Sequence, residues 1–166
     1  MKKYLPVLVT GFAAGILHIV PFVKGFVCCL IVPVAAYFAV ILEQKSKNIT
    51  GEFDLKKGAV LGFFTGIAAA FFGTFFEIFV TLITKHNDIL TSINEITRTI
   101  HSLPFSEDVK NEVLTVMKSV VNSIRTNGFS PLYSISIFIN NLIVNPIFGT
   151  IGGLVAAKIL NSKYSN

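Results

Sequence analysis

Charged side chains are scarce in this chain. They make up 14% of its 166 residues, whereas soluble domains average about 25%. Tryptophan is absent, so the 16 phenylalanines supply most of the aromatic bulk. Together with a hydrophobic fraction of 52%, this composition excludes an ordinary soluble domain. It predicts an integral membrane protein.

Cysteine is also scarce, and Cys28 and Cys29 are adjacent in an apolar run. They supply neither a spaced disulfide framework nor a CxxC pair. The chain also lacks a nucleophile elbow, a phosphate-binding loop, an HExxH helix and a rhomboid-type serine and histidine pair. We therefore expect no enzymatic activity, no metal and no cofactor.

Four apolar runs cover about residues 4–22, 26–42, 58–83 and 130–160. Each is close to or above the roughly 20 residues that a helix needs to cross a bilayer core of about 30 Å. The first two runs are separated only by residues 23–25, which favours a helical hairpin. The sequence therefore predicts an all-α polytopic membrane protein, a single domain over 1–166 with four transmembrane helices in two hairpins.

The segment at about 86–130 is polar but periodic. It contains two apolar series with steps of three and four: Ile89, Ile93, Ile96, Ile100 and Leu103, then Val109, Val113, Val116, Val120 and Ile124. Pro104 separates the two series, and Ser106 is suited to cap the second. The pattern predicts an extramembrane amphipathic hairpin with helices at about 88–103 and 107–125.

The lysines fall on one side of a four-span arrangement. Lys2 and Lys3, the four lysines of the loop at 43–57, and Lys158 with Lys163 all lie at the same ends of the predicted spans. Positive charge favours the cytoplasmic side. We expect a multi-pass protein of the inner (plasma) membrane with both termini cytoplasmic. Because these lysines form no basic stripe with interleaved aromatics, nucleic acid is not an expected partner.

Small residues recur at every fourth position in three of the predicted spans. They are Gly11 and Gly15 in the first span, Gly58, Gly62 and Gly66 in the third, and Gly149 and Gly153 in the fourth. Residues four apart share one helix face, and small ones let another backbone approach closely. The spacing predicts close packing of these helices, either within one chain or with a second copy.

Four polar residues within the apolar runs form a candidate polar site: His18, Glu77, Asn141 and Asn145. Polar groups at membrane depth often mark ligand or ion pathways. Glu77 falls near the outer boundary, where it can also reach interfacial water or pair with Lys24. The asparagines, which precede Pro146, can contact a solute, or they can bond to neighbouring helices. His18 with Glu77 and the two cysteines includes donor types for zinc, but inert packing is favoured.

The layout of the chain resembles uncharacterised small bacterial four-helix membrane proteins of the DUF4199-like type. The resemblance is carried by the basic start, the loop ending "FDLKKGAVLG", "FFEIF" in the third span, the charged helical insert, and "NPIFGTIGGLVAAKIL" near the end. It implies a membrane location and no known activity.

Two functions are compatible with these patterns. The first is a non-enzymatic protein that acts by association in the lipid bilayer, as a homo-oligomer or as an accessory subunit of a membrane protein complex. The second is a small transporter or channel with a polar site in the outer leaflet. A dry core packed on glycine would favour the first function, and a polar cavity at mid-membrane would favour the second.

Overall fold

A computed structural model describes residues 4–20 and 22–162. Lys2, Lys3 and Lys163, which carry part of the charge asymmetry, lie outside the described residues. The described residues form an all-α fold. Its helices are α1 (Leu5–Leu17), α2 (Val32–Ser46), α3 (Leu55–Thr84), α4 (Asp88–Ser102), α5 (Glu107–Asn127) and α6 (Pro131–Ser162).

Three helical segments are long and apolar enough to cross a membrane. They are Lys24–Ser46, Leu55–Thr84 and Pro131–Ser162, with 23, 30 and 32 residues. The first of these begins with a 3₁₀ turn at Lys24–Phe26 and a π-helical turn at Val27–Ile31, which lead directly into α2.

The first predicted span is shorter than expected. α1 has 13 residues, about 20 Å at 1.5 Å per residue, and it ends at Leu17 rather than near Phe22. The sequence has a proline at position 21, which has no amide hydrogen to donate to the carbonyl of Leu17, so a regular helix is not expected to continue to residue 22. Length alone therefore does not make α1 a spanning helix.

The chain divides into two compact units, residues 1–77 with 137–166, and residues 78–136. In the first unit the helices form a ring of close contacts. A Cβ at Gly15 of α1 would lie 2.5 Å from Cβ of Phe72 in α3, and one at Gly58 of α3 would lie 2.7 Å from the carbonyl oxygen of Gly153 in α6. Gly152 of α6 faces Pro33 of α2 in the same way.

Alanine and valine fill the centre of this bundle. Ala14 of α1 packs with Val32 and Ala35 of α2 and with Ala69 of α3, and all four are buried. The opposite face of α3 is exposed and carries Phe64, Phe71, Phe75 and Phe79. Small residues therefore face the inside of the bundle and phenylalanines face outward. This arrangement suits helix packing in lipid, where the hydrophobic effect contributes little to association and close backbone contact is needed.

In the second unit, α4 and α5 form a hairpin. Asn87 caps α4, since its Oδ1 accepts a hydrogen bond from the Ile89 amide at 3.1 Å. Ser106 is at the N-cap position of α5 but makes no capping hydrogen bond through its side chain. α5 ends at Gly128, whose φ of +70° is a left-handed conformation that glycine adopts at helix ends without steric cost.

The register of α5 differs from the predicted one. Lys110, Leu114 and Val121 are buried together with Val120 and Ile124, whereas Val109, Val113 and Val116 are exposed. Both series have steps of three and four, so the valine spacing alone did not identify the inner face. Lys110 Nζ donates to Glu107 Oε1 at 2.9 Å, and this hydrogen bond with the lysine charge holds the pKa of Glu107 below its ordinary value.

Candidate functional site

A group of buried polar side chains lies inside the first unit, between the middle of α3 and Glu77. His18 follows the last residue of α1 and is buried. Its Nε2 lies 3.4 Å from Nδ2 of Asn145 in α6, so a neutral imidazole accepts a hydrogen bond there. The ring rests on Gly73 of α3, where an added Cβ would come within 2.7 Å of His18 Cγ. Gly73, which the fourfold spacing did not include, provides the space for the imidazole.

The next turns of α3 and α6 extend this group. Asn141 Nδ2 donates to Thr74 Oγ1 at 3.0 Å, and both residues are buried. Glu77, one helical turn beyond Thr74, is only 5% exposed, and its Oε1 lies 2.7 Å from Lys24 Nζ. The structure thus places Asn145 against Gly66, near the middle of α3, with His18, Asn141 and Glu77 closer to the C-terminal end of that helix. It pairs each of them with another side chain of the first unit.

The connection beside this polar group is irregular. Pro33 cannot donate to the carbonyl of Cys29, four residues earlier, and the turn at Val27–Ile31 widens so that the Val32 amide bonds to Val27 oxygen instead. Cys28 and Cys29 lie in this π-helical turn with their sulfurs 3.5 Å apart. Within the described residues, no three histidine, cysteine or acidic side chains come together as a metal site.

A second charged group lies at the other end of the bundle. Glu43 of α2 is buried, and its Oε1 lies 2.5 Å from Lys47 Nζ and 3.4 Å from Lys57 Nζ of α3. The two charged groups are Lys24 with Glu77, and Glu43 with Lys47 and Lys57. Each of the two helical segments carries a lysine at one end and a glutamate at the other, in opposite order along the bundle. The segment ending in α2 places Lys24 at one end and Glu43 at the other, and α3 places Glu77 and Lys57 opposite them.

Two hydrogen bonds and an apolar contact join the loop after α2 to α6. Phe53 is 1% exposed and packs with Val40, Ala157 and Leu160. Its amide donates to Asn161 Oδ1 at 2.6 Å, and its carbonyl accepts from Asn161 Nδ2 at 2.9 Å. The sequence does not predict this pair, because Phe53 and Asn161 both lie in polar segments. The single phenylalanine inside a polar loop was the available signal.

One exposed apolar surface lies on α5 of the second unit. Val109, Val113 and Val116 are 46%, 42% and 45% exposed, and their spacing of four and three residues places them on one helix face. We call these three residues the valine stripe. In α4, by contrast, Ile100 is buried.

Comparison with known proteins does not assign the chain. Neither protein-family models, nor curated proteins, nor solved structures give a match. Functional inference therefore depends on the structure itself. The relevant features are the two charged groups, the polar group and the valine stripe.

Proposed function

We propose that this chain is a non-enzymatic, four-span membrane protein that acts by association through the α4–α5 hairpin. The observation that carries the proposal is the valine stripe, an exposed apolar surface on a helix whose own inner face is already buried. Contiguous apolar surface of this kind typically marks an interaction site. A second copy of the chain is the partner we propose, and an accessory role in a larger membrane complex is the variant of the same function.

The spacing of the two charged groups supports insertion in a bilayer. Lys57 and Glu77 are about 30 Å apart along α3, and Lys24 and Glu43 are about 29 Å apart along their segment, at about 1.5 Å per residue. Residues 58–76 and 25–42 between them carry no charge. This distance matches a hydrocarbon core of roughly 30 Å, so each ion pair would lie at one boundary. In this arrangement Glu77 is a boundary residue.

We infer that α1 forms most of the first crossing. α1 runs alongside α3 in the same direction, because Gly11 contacts Ala68 and Gly15 contacts Phe72. Lys24 lies at the far boundary with Glu77. In this register α1 lies level with about residues 62–74 of α3, so it covers about 20 Å of the core.

The polar group is better explained by packing than by transport. His18 and Asn145 contact each other, as do Asn141 and Thr74, so these side chains satisfy one another inside a core of glycine and alanine. Interhelical hydrogen bonds of this kind stabilise membrane helices. A transporter remains the second candidate, because irregular backbone next to buried polar groups at membrane depth is also a feature of solute sites.

Topology is tested by labelling single cysteines in a variant in which Cys28 and Cys29 are replaced by serine. Because the lysines favour a cytoplasmic location for the loop after α2, Ser46→Cys and Ser162→Cys should react only from the cytoplasmic side, and Ser106→Cys only from outside. All three positions are exposed in the structure, so access is limited by the membrane alone. Labelling of Ser106→Cys from the cytoplasm would disprove the proposed topology.

Association is tested by charging the valine stripe. Val109→Asp with Val113→Asp should weaken assembly about a hundredfold or more, since desolvating unpaired carboxylates at an interface costs about 3 kcal/mol or more. The measurement is the molar mass of the purified protein by light scattering, together with subunit counting in vesicles.

The matched control is Asn111→Asp with Thr115→Asp, which adds the same charge at the same spacing on exposed positions outside the stripe. This control should keep the assembly size of the parent. If the stripe variant also keeps the parent size and the same co-purifying proteins, association through α5 is wrong and the transporter becomes the better hypothesis.

A further inference from the structure

A groove of about 610 Å³ runs between α1 and α2 in the first unit. Its walls are small or apolar, with Thr10 and Ala13 from α1, Ile31 from the π-helical turn, and Ala35 and Phe38 from α2. Its one charged lining residue is Lys45. The volume lies within the range of roughly 300–1,000 Å³ that is typical of small-molecule sites.

The groove follows the membrane normal in the arrangement proposed above. Lys45 lies two residues beyond Glu43, which places it about 3 Å outside the hydrocarbon boundary, at the level of lipid phosphates. Ile31 lies about 21 Å further along the helix, beyond the midplane of a core that is roughly 30 Å thick. The groove therefore begins at the headgroups of the cytoplasmic leaflet and extends through the acyl chains of that leaflet.

Lys45 is available to a ligand. Lys47 and Lys57 contact Glu43, whereas no carboxylate in the described part of the chain lies within ion-pair distance of Lys45. Basic pockets between transmembrane helices on the cytoplasmic side bind anionic lipid headgroups. The single positive charge at the mouth of an apolar groove thus selects a ligand with one anionic end and a long apolar chain.

A helix of a second copy fits this groove less well. About 610 Å³ distributed along about 21 Å gives a mean cross-section of about 30 Å², whereas a helix about 10 Å across has about 80 Å². The floor is closed because Ala14 and Ala35 are in the same buried cluster. An extended hydrocarbon chain is the narrower occupant.

We propose that the groove between α1 and α2 binds an acyl chain of an anionic phospholipid from the cytoplasmic leaflet, with the lipid phosphate on Lys45. The inference rests on the membrane insertion proposed above and goes beyond it. It is independent of the valine stripe, which belongs to the other unit.

The absence of tryptophan provides a direct test, because Phe38→Trp introduces one fluorescent reporter into the groove. The variant is reconstituted in phosphatidylcholine vesicles that contain phosphatidylglycerol, with bromine on the acyl chains of one lipid or the other. Brominated phosphatidylglycerol should quench the reporter with about fivefold higher apparent affinity than brominated phosphatidylcholine, the preference expected of one lysine near the surface.

Two substitutions and their controls define the site. Lys45→Gln should remove the preference for phosphatidylglycerol, and Lys56→Gln, an exposed lysine that does not line the groove, should retain it. Ala13→Phe fills the groove and should also remove the preference. Val60→Phe, which adds comparable bulk at an exposed position of α3, should leave it intact. Lipid retained through purification, counted by native mass spectrometry, should change in parallel.

Each other outcome has a defined meaning. Equal quenching by the two brominated lipids, or a preference that survives Lys45→Gln, contradicts the lipid site and leaves membrane insertion intact. Quenching by neither lipid but by aqueous iodide contradicts insertion itself. A reporter that is shielded from both lipids and iodide shows that protein covers the groove, and a second copy then replaces the lipid as its occupant.

Discussion

Gly62→Ala should destabilise the bundle by about 3 kcal/mol, although alanine normally stabilises a helix relative to glycine by about 1 kcal/mol. The reason is the position of the added methyl group, which would overlap the carbonyl oxygen of Gly149 on α6. Backbone cannot rotate away as a side chain can, so the two helices must separate along their length. For a chain of this size the loss corresponds to a fall of about 10 °C in the unfolding temperature.

The measurement is thermal unfolding of the purified protein in one detergent, followed by circular dichroism. Gly25→Ala is the matched control, because nothing lies within 4 Å of an added Cβ there, and it should leave the unfolding temperature unchanged or higher. Phe71→Leu, at a side chain that is 59% exposed, should also have little effect. Equal unfolding temperatures for Gly62→Ala and Gly25→Ala would remove the packing argument.

The helical layout could be predicted because it depends on period and composition. The predicted spans at 58–83 and 130–160 correspond to Leu55–Thr84 and Pro131–Ser162, and α4 and α5 begin directly after Asn87 and Ser106. Each of these boundaries has a local cause, such as a cap, a proline or a change in polarity. Local causes can be read from a single sequence.

Pairings across the chain could not be predicted in the same way. Phe53 and Asn161 are 108 positions apart, and no periodic pattern connects a phenylalanine in one polar segment with an amide in another. The prediction of the inner face of α5 was wrong for a related reason. Leu114 and Val113 belong to alternative stripes with the same spacing, and only tertiary contacts determine which one is buried.

The candidate polar site was predicted as a set of residues but not as a geometry. The sequence identified His18, Glu77, Asn141 and Asn145 because polar groups are rare in apolar runs. It did not identify Thr74 as the partner of Asn141, or Gly73 as the support of the His18 ring. Those roles depend on the rotation of α3 relative to its neighbours, which composition does not specify.

Lys24→Met should be among the most destabilising substitutions of a charged residue, costing about 3–5 kcal/mol. Glu77 is 5% exposed and Lys24 Nζ lies 2.7 Å from its Oε1, so the substitution removes that ammonium group from a buried carboxylate. The Lys24 side chain is 34% exposed, so the pair is only partly screened from water and the expected cost lies toward the lower end of that range.

Lys57→Met provides the comparison at the opposite end of the bundle. Lys47 remains 2.5 Å from Glu43 when Lys57, at 3.4 Å, is lost, so the buried carboxylate keeps one ammonium partner and the cost there should be below about 1 kcal/mol. Both variants replace a lysine that contacts a buried glutamate on the neighbouring segment, and the two sites lie at opposite ends of the bundle. Their difference therefore reports how fully each carboxylate depends on one lysine.

A double-mutant cycle completes the test. Glu77→Gln with Lys24→Met removes both charges while keeping the shape of the carboxyl side chain, and it should recover more than half of the stability lost in Lys24→Met alone. The readout is the unfolding free energy of the four proteins in the cycle. If Lys24→Met costs no more than Lys57→Met, Glu77 is compensated without Lys24. Placing the bilayer boundary at this ion pair would then lose its energetic basis.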